Sequence, residues 1–519
     1  MIKSAIDPAC TGQFSPIFLD YIDQKAGLRP FYQAYPSLEN FRKAVEERTF
    51  HQQDRELLAN TLQKQYVNFE ISKPVRTNLD KLRDSTTYTV TTGHQLNLFT
   101  GPLYFIYKIV STINLADKLN QTYPSHHFVP VYWMASEDHD FMEINHFHFD
   151  GKKFVWSTEQ TGAVGEFVLD SGIKDLLKQA AFAPDFFKKA YLEQKNLADA
   201  VRYYVNHLFG EKGLVVIDAN AQALKARFKA VIKDDLLHNH AQDLVSKASS
   251  DLSKMGYKEQ VFPREINFFF MEKGVRERII RVGEEFKISG IEKNHSVDEM
   301  LAMVEESPEK FSPNVVMRPL YQERILPNLA YLGGPAEVAY WLQLKSVFRH
   351  YQTPFPILLP RNFVMVLNPP MQRKMNALGL SDQDLFTEFD QWKKEFVTKH
   401  STLDISLASE RRQLTEIFDQ VKAKAKESDP TLEYSAEAAK SRALKIMDQF
   451  SVKLRKAEER KASSALNKMR DLKRTLFPGG QPQERLENFL QFFLEDPQFI
   501  EKLYEHLDPL DFDFIILRR

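Results

Sequence analysis

The sequence predicts an α/β fold in which one open, doubly wound parallel sheet is interrupted by insertions and followed by an antiparallel helical coiled coil. Three observations carry the prediction. Two distant segments, residues 86–138 and 328–368, each run strand, glycine-containing turn, helix, strand, the pattern of a buried parallel pair with a right-handed crossover. The material between them switches to hairpin-like alternation, so it reads as insertions into one sheet and not as an independent domain. From about residue 381 to 476 the composition turns to charged helix formers with apolar positions seven apart.

Taken in order, the first eighty residues read as helices broken at "RPFYQAYP" (29–36), with one helix predicted from Ser37 through "LENFRKAVEERTFHQQDRELLANTLQKQY". "TTYTVTTGHQ" (86–95) is a strand ending in a loop, "GPLYFIYKIVSTINLADKLNQ" (101–121) has helical periodicity, and "HHFVPVYWMASED" (126–138) is a second apolar strand. "HFHFDGKKFVWSTEQTGAVGEFVLD" is read as antiparallel hairpins, "GLVVIDAN" (213–220) as a short buried strand, and "REINFFFMEKGVRERIIRVGEEFKISG" (264–290) as a β-meander. The expected domains are therefore a core over 1–380 with inserted segments at about 147–210 and 255–310, a helical hairpin over 381–476, and a segment over 477–519 that returns to the core. In the hairpin, Leu407, Leu414 and Val421 lie seven apart with Ile417 between them, and Met447, Phe450, Leu454 and Ala457 repeat the spacing after a break at "ESDP" (427–430). Such a hairpin has little core of its own, so it is expected to pack against a second copy as a homodimer, an intrachain prop being the alternative.

A chain of 519 residues, 43% hydrophobic and 12% aromatic, has ample material for a buried core. Its 69 Lys+Arg against 70 Asp+Glu give a net charge of −1, so no whole-chain field draws it to nucleic acid or an anionic membrane, and neither is an expected partner. The single cysteine, Cys10, excludes an internal disulfide framework and a thiolate zinc cluster within one chain. That composition suits a reducing cytoplasm. No run approaches the roughly 18–20 apolar residues of a membrane span, and the chain is expected to be soluble and cytoplasmic.

Three loops are candidate site segments. In "VTTGHQLNLFTGPLYFIYK" (90–108) a strand feeds a helix N-terminus, where N–H groups and the helix dipole favour an anion. Gly93 and Gly101 allow close approach, and Lys108 lies two turns into the helix, within reach of a phosphate; alternatively the glycines only shape a turn and Lys108 is solvated. The second strand ends in "SEDHD" (136–140), at the carboxyl edge where open α/β sheets bind ligands. Hydrogen bonding of Asp138, His139 and Asp140 to substrate is the favoured reading there; Asp138, His139, Glu143 and His146 also have metal-ligand composition, without a metal-ligand spacing, and a solvated loop stays open. "YLGGPAEVAYW" (331–341) mirrors the first loop with Gly333, Gly334 and Glu337, the glutamate either capping its helix or pairing with a substrate amine. Arg361 in "LLPRN" is placed to clamp a carboxylate or phosphate.

"TTGHQLNLFTGPLYFIYK", "PVYWMASEDHDFMEI", "LPNLAYLGGPAEVAYW" and "PRNF", followed by a helical hairpin, together resemble the bacillithiol-biosynthesis cysteine ligase family, BshC, over essentially the whole chain. The resemblance implies a Rossmann-like core related to class I aminoacyl-tRNA synthetases, with connective insertions and a dimerising coiled coil. It further implies an amide-forming ligase that adds L-cysteine to the amine of glucosaminyl-malate, with ATP and Mg activating the carboxyl and no zinc. On that footing Gly93, His94, Gln95, Thr100, Gly101, Tyr104 and Lys108 form the pocket, and Asp138, His139 and Asp140 contact the sugar amine or cysteine. Gly333, Gly334, Glu337 and Arg361 anchor from the second loop, and His94 and His139 are the candidate catalytic residues, because an imidazole can take a proton near neutral pH. One departure stands out: the slot that carries His-x-Gly-His in the synthetases reads Phe99-Thr100-Gly101-Pro102, with His94 upstream. Two other readings remain open, a metal-dependent hydrolase built on residues 138–148 and a non-catalytic dimeric scaffold assisting another ligase.

Overall fold

The computed structural model describes residues 1–401 and 403–519. It divides into two compact units, Met1–Met365 with Pro482–Leu517 and Val366–Gln481 with Arg518–Arg519.

The first unit is built on a five-stranded parallel sheet in the order Ile357–Pro360, Asn328–Gly333, Thr87–His94, His127–Met134, Val215–Asp218. Counted along the chain these are the fifth, fourth, first, second and third strands, which read from the Val215–Asp218 edge is the doubly wound Rossmann order 3-2-1-4-5. The order reverses between Thr87–His94 and Asn328–Gly333. Thr87–His94 is buried by neighbours on both sides, although five of its eight residues are threonine or tyrosine. Three of its hydroxyls are satisfied across the sheet: Thr89 and Thr91 Oγ1 donate to Asn328 Oδ1 at 3.1 and 2.8 Å, and Thr92 Oγ1 donates to the Leu332 carbonyl at 2.8 Å. Buried hydroxyls left without such partners would cost about 1–3 kcal/mol each. Above the sheet, the Tyr104–Thr122 helix is buried on every side from Phe105 to Ile113, and Leu115 and Leu119 pack on Val90, Phe128 and Leu332.

Two expectations for the flanks are corrected. The helix predicted from Ser37 through Tyr66 is two helices, Leu38–Glu47 and Gln52–Gln65. The break falls at Arg48, whose extended backbone lets the buried guanidinium donate to the Glu323 and Leu326 carbonyls at 2.8 and 2.6 Å; a tertiary demand overrides local propensity. The N-terminus, read as helical, begins with the strand Ile2–Ile6, which joins the C-terminal strand Phe514–Arg518 in a small sheet.

The first insertion holds one hairpin, His146–Phe149 with Lys152–Val155, followed by the helices Ser171–Gln179, Asp185–Glu193 and Leu197–Phe209. The second is the expected meander, Phe268–Glu272, Val275–Val282 and Glu285–Ile288, extended to five strands by Asn294–Ser296 and Phe311–Pro313. In the second unit the helices Ala408–Ser428 and Leu432–Lys461 form the hairpin, turning at Asp429, whose carboxylate accepts the Thr431 N–H at 2.8 Å. Lys440–Asp419 and Lys422–Glu437 pairs cross it at 2.5 and 2.9 Å; as exposed pairs they contribute little.

Arg361 shows how the chain end is held to the first unit. Both its terminal nitrogens donate to Glu484, at 2.9 and 2.6 Å, and both side chains are almost wholly buried. Its guanidinium also stacks over the Tyr104 and Phe363 rings. Breaking such a pair from one side strands a charge in the interior. Glu484→Gln should therefore lower the unfolding free energy of the first unit by about 3–5 kcal/mol in urea titrations, and an effect under about 1 kcal/mol would show that Glu484 does not secure the segment.

Candidate active site at the sheet switch point

Outside the carboxyl ends of Thr87–His94 and Asn328–Gly333, where the strand order reverses, the structure opens a cleft of about 840 Å³. Ligands of open α/β sheets bind at this position, and the volume is that of a small-molecule site. The strand ends form its floor, and the meander contributes a wall through Phe268, Phe269, Arg276 and Arg278.

An ion pair lies at the centre of the floor. Lys108 Nζ donates to the Gly93 carbonyl and to Glu337 Oε2, both at 2.6 Å. Glu337 Oε2 also accepts the Gly334 N–H at 2.7 Å, while Oε1 accepts the Tyr331 hydroxyl at 2.6 Å. Burial alone would raise this carboxyl, but the Lys108 charge and the three donors hold it down at about 2. Lys108 is only 2% exposed. It is neither a solvated lysine nor an uncommitted phosphate ligand, and Glu337 both caps its own helix and receives the lysine. Gly93 has a steric reason: a Cβ there would come within 3.3 Å of the Tyr331 hydroxyl and 3.6 Å of Arg318. Gly333 and Gly334 frame Glu337 without lining the cleft.

His94 lies against the Tyr104 and Phe105 rings, and its Nε2 has no hydrogen-bond partner. Burial, reinforced by the Lys108 charge, lowers its imidazole to about 3. The expectation that it takes a proton near neutral pH is thus corrected. It is a neutral ring on the cleft lining whose Nε2 is buried without a hydrogen-bond partner.

The 136–140 segment supplies negative charge. Gln95 Nε2 donates to Asp138 Oδ2 at 2.9 Å and to Glu143 Oε2 at 2.8 Å, bridging two carboxylates that line the cleft. Against the effect of burial, hydrogen bonds from His139 and Gln95 and the Arg276 charge hold Asp138 well below the usual carboxylate range, so it stays anionic at any physiological pH. Arg276 Nη1 donates to His139 Nδ1 at 2.6 Å and stacks 4.1 Å over the Phe269 ring. His139 and Asp140 are exposed and lie outside the cleft lining; His139 acts on the cleft through Arg276. Among the described residues, no three of Asp138, His139, Glu143 and His146 have ligand atoms that all lie within 4.8 Å of one another.

The opening turn is closed by the chain itself. Phe99, Thr100 and Gly101 all have positive φ, at 51°, 72° and 64°, and a Cβ on Gly101 would approach Asn97 Cβ to 2.6 Å. Buried Asn488 donates to the Phe99 and Gly101 carbonyls at 2.8 and 2.7 Å, and the Leu103 N–H at the helix start donates to the Glu487 carbonyl at 2.8 Å. Thr100 and Gly101 therefore shape a sealed turn. With Lys108 paired to Glu337 and Arg361 to Glu484, this loop does not fit nucleotide phosphates.

The side chains that sequence reasoning missed are cationic and aromatic. Arg318 lies beneath Trp133 and Tyr331 and donates to the Tyr340 hydroxyl at 3.3 Å; nothing in "VVMRPLYQ" marks it. Arg276 and Arg278 left a signal in "VRERIIRV", where strand alternation puts both on one face.

A family model described as "Bacillithiol biosynthesis BshC, N-terminal Rossmann-like domain" matches residues 1–362, and one described as "Bacillithiol biosynthesis BshC, C-terminal coiled-coil domain" matches 364–519. The chain belongs to the BshC family. It is 41% identical to a relative from Flavobacterium psychrophilum over 98% of both chains. It is 42% identical to one from Flavobacterium johnsoniae over the full length of both, and 41% identical to one from Cytophaga hutchinsonii over 96% of both. Each of the three bears the name "Putative cysteine ligase BshC". Family membership thus spans both units.

The state of His94 is open to measurement. The unfolded chain protonates this imidazole near pH 6.5 and the folded chain only near 3, so its contribution to stability is full above 6.5 and is lost as pH falls between those values. Between pH 7.5 and 5.5 the wild-type protein should lose about 1.4 kcal/mol more than His94→Gln in urea unfolding. Equal losses would mean that the ring is not held neutral.

Proposed function

We propose that the chain is an ATP-dependent ligase that joins the carboxyl of L-cysteine to the amine of glucosaminyl-malate. The observation that carries this reading is the mixed charge of the cleft, with Asp138 and Glu143 bridged by Gln95 beside the guanidinium groups of Arg276, Arg278 and Arg318. An acceptor that carries an amine and two carboxylates meets complementary groups for each. The family, and the names its relatives bear, support the ligase class.

In this reading Asp138, fixed as an anion, orients the sugar ammonium, and Glu143 at the exposed edge takes the proton the amine sheds before attack. Arg318 and Arg276 hold carboxylates, and His94 stands beside them as a neutral ring of the cleft lining. Amide formation from a free carboxylate is uphill in water, so ATP with Mg is the co-substrate the reaction needs to activate cysteine. The 99–101 turn does not fit it, and this chain's own residues bind and orient the substrates and accept the amine proton. The reaction is read as cytoplasmic, in keeping with the unpaired Cys10.

The second unit is read as the dimer contact. Ile417, Val421, Ile446 and Phe450 are exposed on the hairpin helices, an apolar set that a second hairpin would cover. Light scattering of the purified chain should give twice 60.4 kDa, and Ile446→Glu with Phe450→Glu should give one chain; a monomeric wild type would refute the contact.

The activity is tested by incubating the chain with L-cysteine, glucosaminyl-malate and Mg-ATP and following thiol product, AMP and ADP by mass spectrometry. Product is expected, and Arg318→Lys should raise the KM for the sugar acid roughly 10- to 100-fold, the loss of one hydrogen bond to a charged group. Bound substrates without turnover would instead favour the scaffold.

A further inference from the structure

Away from the cleft, four side chains from three helices meet. Asp234 and His238 lie one turn apart on the Lys229–His238 helix, His240 opens the His240–Lys254 helix, and His350 ends the Lys345–His350 helix. Between the first two helices Asn239 is left-handed at φ 55°, a conformation asparagine tolerates better than most residues. The reversal stacks the His238 and His240 rings 5.4 Å apart, and His350 arrives from a distant segment with its ring 4.5 Å from that of His240.

The three imidazoles share one carboxylate. Asp234 oxygens lie 3.0 Å from His240 Nδ1, 3.3 Å from His238 Nδ1 and 3.7 Å from His350 Nε2. The ligand atoms of Asp234, His240 and His350 all fall within 4.8 Å of one another. Around a zinc ion with bonds of about 2.0–2.1 Å, tetrahedral ligand atoms are roughly 3.4 Å apart, so small side-chain rotations bring this set to that size. Imidazole nitrogen with carboxylate oxygen is a donor set for borderline divalent ions. The Tyr351 hydroxyl donates to Asp234 Oδ2 at 2.7 Å, the kind of outer hydrogen bond that orients a ligating carboxylate. Ion pairing alone accounts poorly for the cluster, because one carboxylate balances a single imidazolium and three rings crowd it. The Asp234, His240 and His350 side chains are 26%, 42% and 33% exposed, which leaves a hydrated ion a route in.

We propose that Asp234, His240 and His350, with His238 alongside, form a binding site for a divalent transition metal of the zinc class. The scarcity of cysteine excludes a thiolate site but has no bearing on an imidazole and carboxylate one. The site is structural, and its neighbour shows what it secures. Asp235 is fully buried and accepts the Asn267 N–H at 2.5 Å and Asn267 Nδ2 at 3.1 Å. Asn267 leads directly into the Phe268–Glu272 strand of the cleft wall. A metal that joins the Lys229–His238 helix to His350 thus anchors the root of that wall.

The test uses the full-length, tag-free chain stripped with EDTA, titrated with Co²⁺ as the spectroscopic probe and Zn²⁺ as competitor, with thermal unfolding followed in parallel. One equivalent of Co²⁺ should produce the intense visible bands of a four-coordinate nitrogen and oxygen site. Zn²⁺ should abolish the bands and raise the unfolding midpoint. His240→Ala with His350→Ala should lose both signals, whereas His146→Ala with His148→Ala, at a separate histidine pair, should keep them; His350→Gln alone gives the same reading if the first double variant does not fold. Absence of the bands from the wild-type chain, their survival in the His240 and His350 variants, or their loss from the His146 and His148 variant would overturn the site.

Discussion

A lysine buried at the edge of a parallel sheet is tolerable only with a partner, and the core is arranged around that condition. Lys108 comes from the helix after the first strand and Glu337 from the helix after the fourth, the two βα units on either side of the switch point. Their contact, with the Gly93 carbonyl and the Tyr331 hydroxyl completing it, fastens the halves of the sheet at the point where the chain must leave a crevice. Removing one partner from such a pair costs about 3–5 kcal/mol, far more than the intact pair contributes over an apolar substitute. The pair therefore specifies the geometry of the cleft floor more than it adds to stability. Its small neighbour Gly93 follows from the same crowding.

The first βα turn is where a Rossmann sheet ordinarily presents N–H groups to a phosphate. Here the C-terminal segment fills that role: the Glu487 carbonyl takes the N–H at the helix start, Asn488 takes the turn carbonyls, and Glu484 neutralises Arg361. Backbone dipoles satisfied internally are not available to a ligand. The guanidinium groups that line the cleft come instead from the inserted meander and from the helix Met317–Ile325, namely Arg276, Arg278 and Arg318. The insertions thus bring to the cleft cations that its floor and first turn do not offer.

Periodicity alone was enough to place the central strands, the Tyr104–Thr122 helix, the meander and the hairpin break near Pro430, because each depends on which residues meet within a few positions of one another. The two glycine-containing loops and the "SEDHD" segment were legible for the same reason, since ends of buried strands cluster at one sheet edge whatever the intervening chain does. The family resemblance rested on those same segments. What each polar side chain does there is another matter. Lys108 could be solvated or bound to phosphate until Glu337, more than two hundred residues away, was placed beside it, and Arg361 was a plausible carboxylate clamp until Glu484 took both its nitrogens.

The sequence by itself determined the types of the central elements, the doubly wound class, the helical hairpin and the family, because these follow from local periodicity and short motifs. Tertiary structure alone decided the pairing of Lys108 with Glu337, the sealing of the 99–101 turn by Asn488, the neutral state of His94, the arginines of the cleft and the meeting of Asp234 with His240 and His350. The physical reason is the same for all five. Burial and charge are properties of neighbours, and those neighbours come from segments that no spacing in the chain connects.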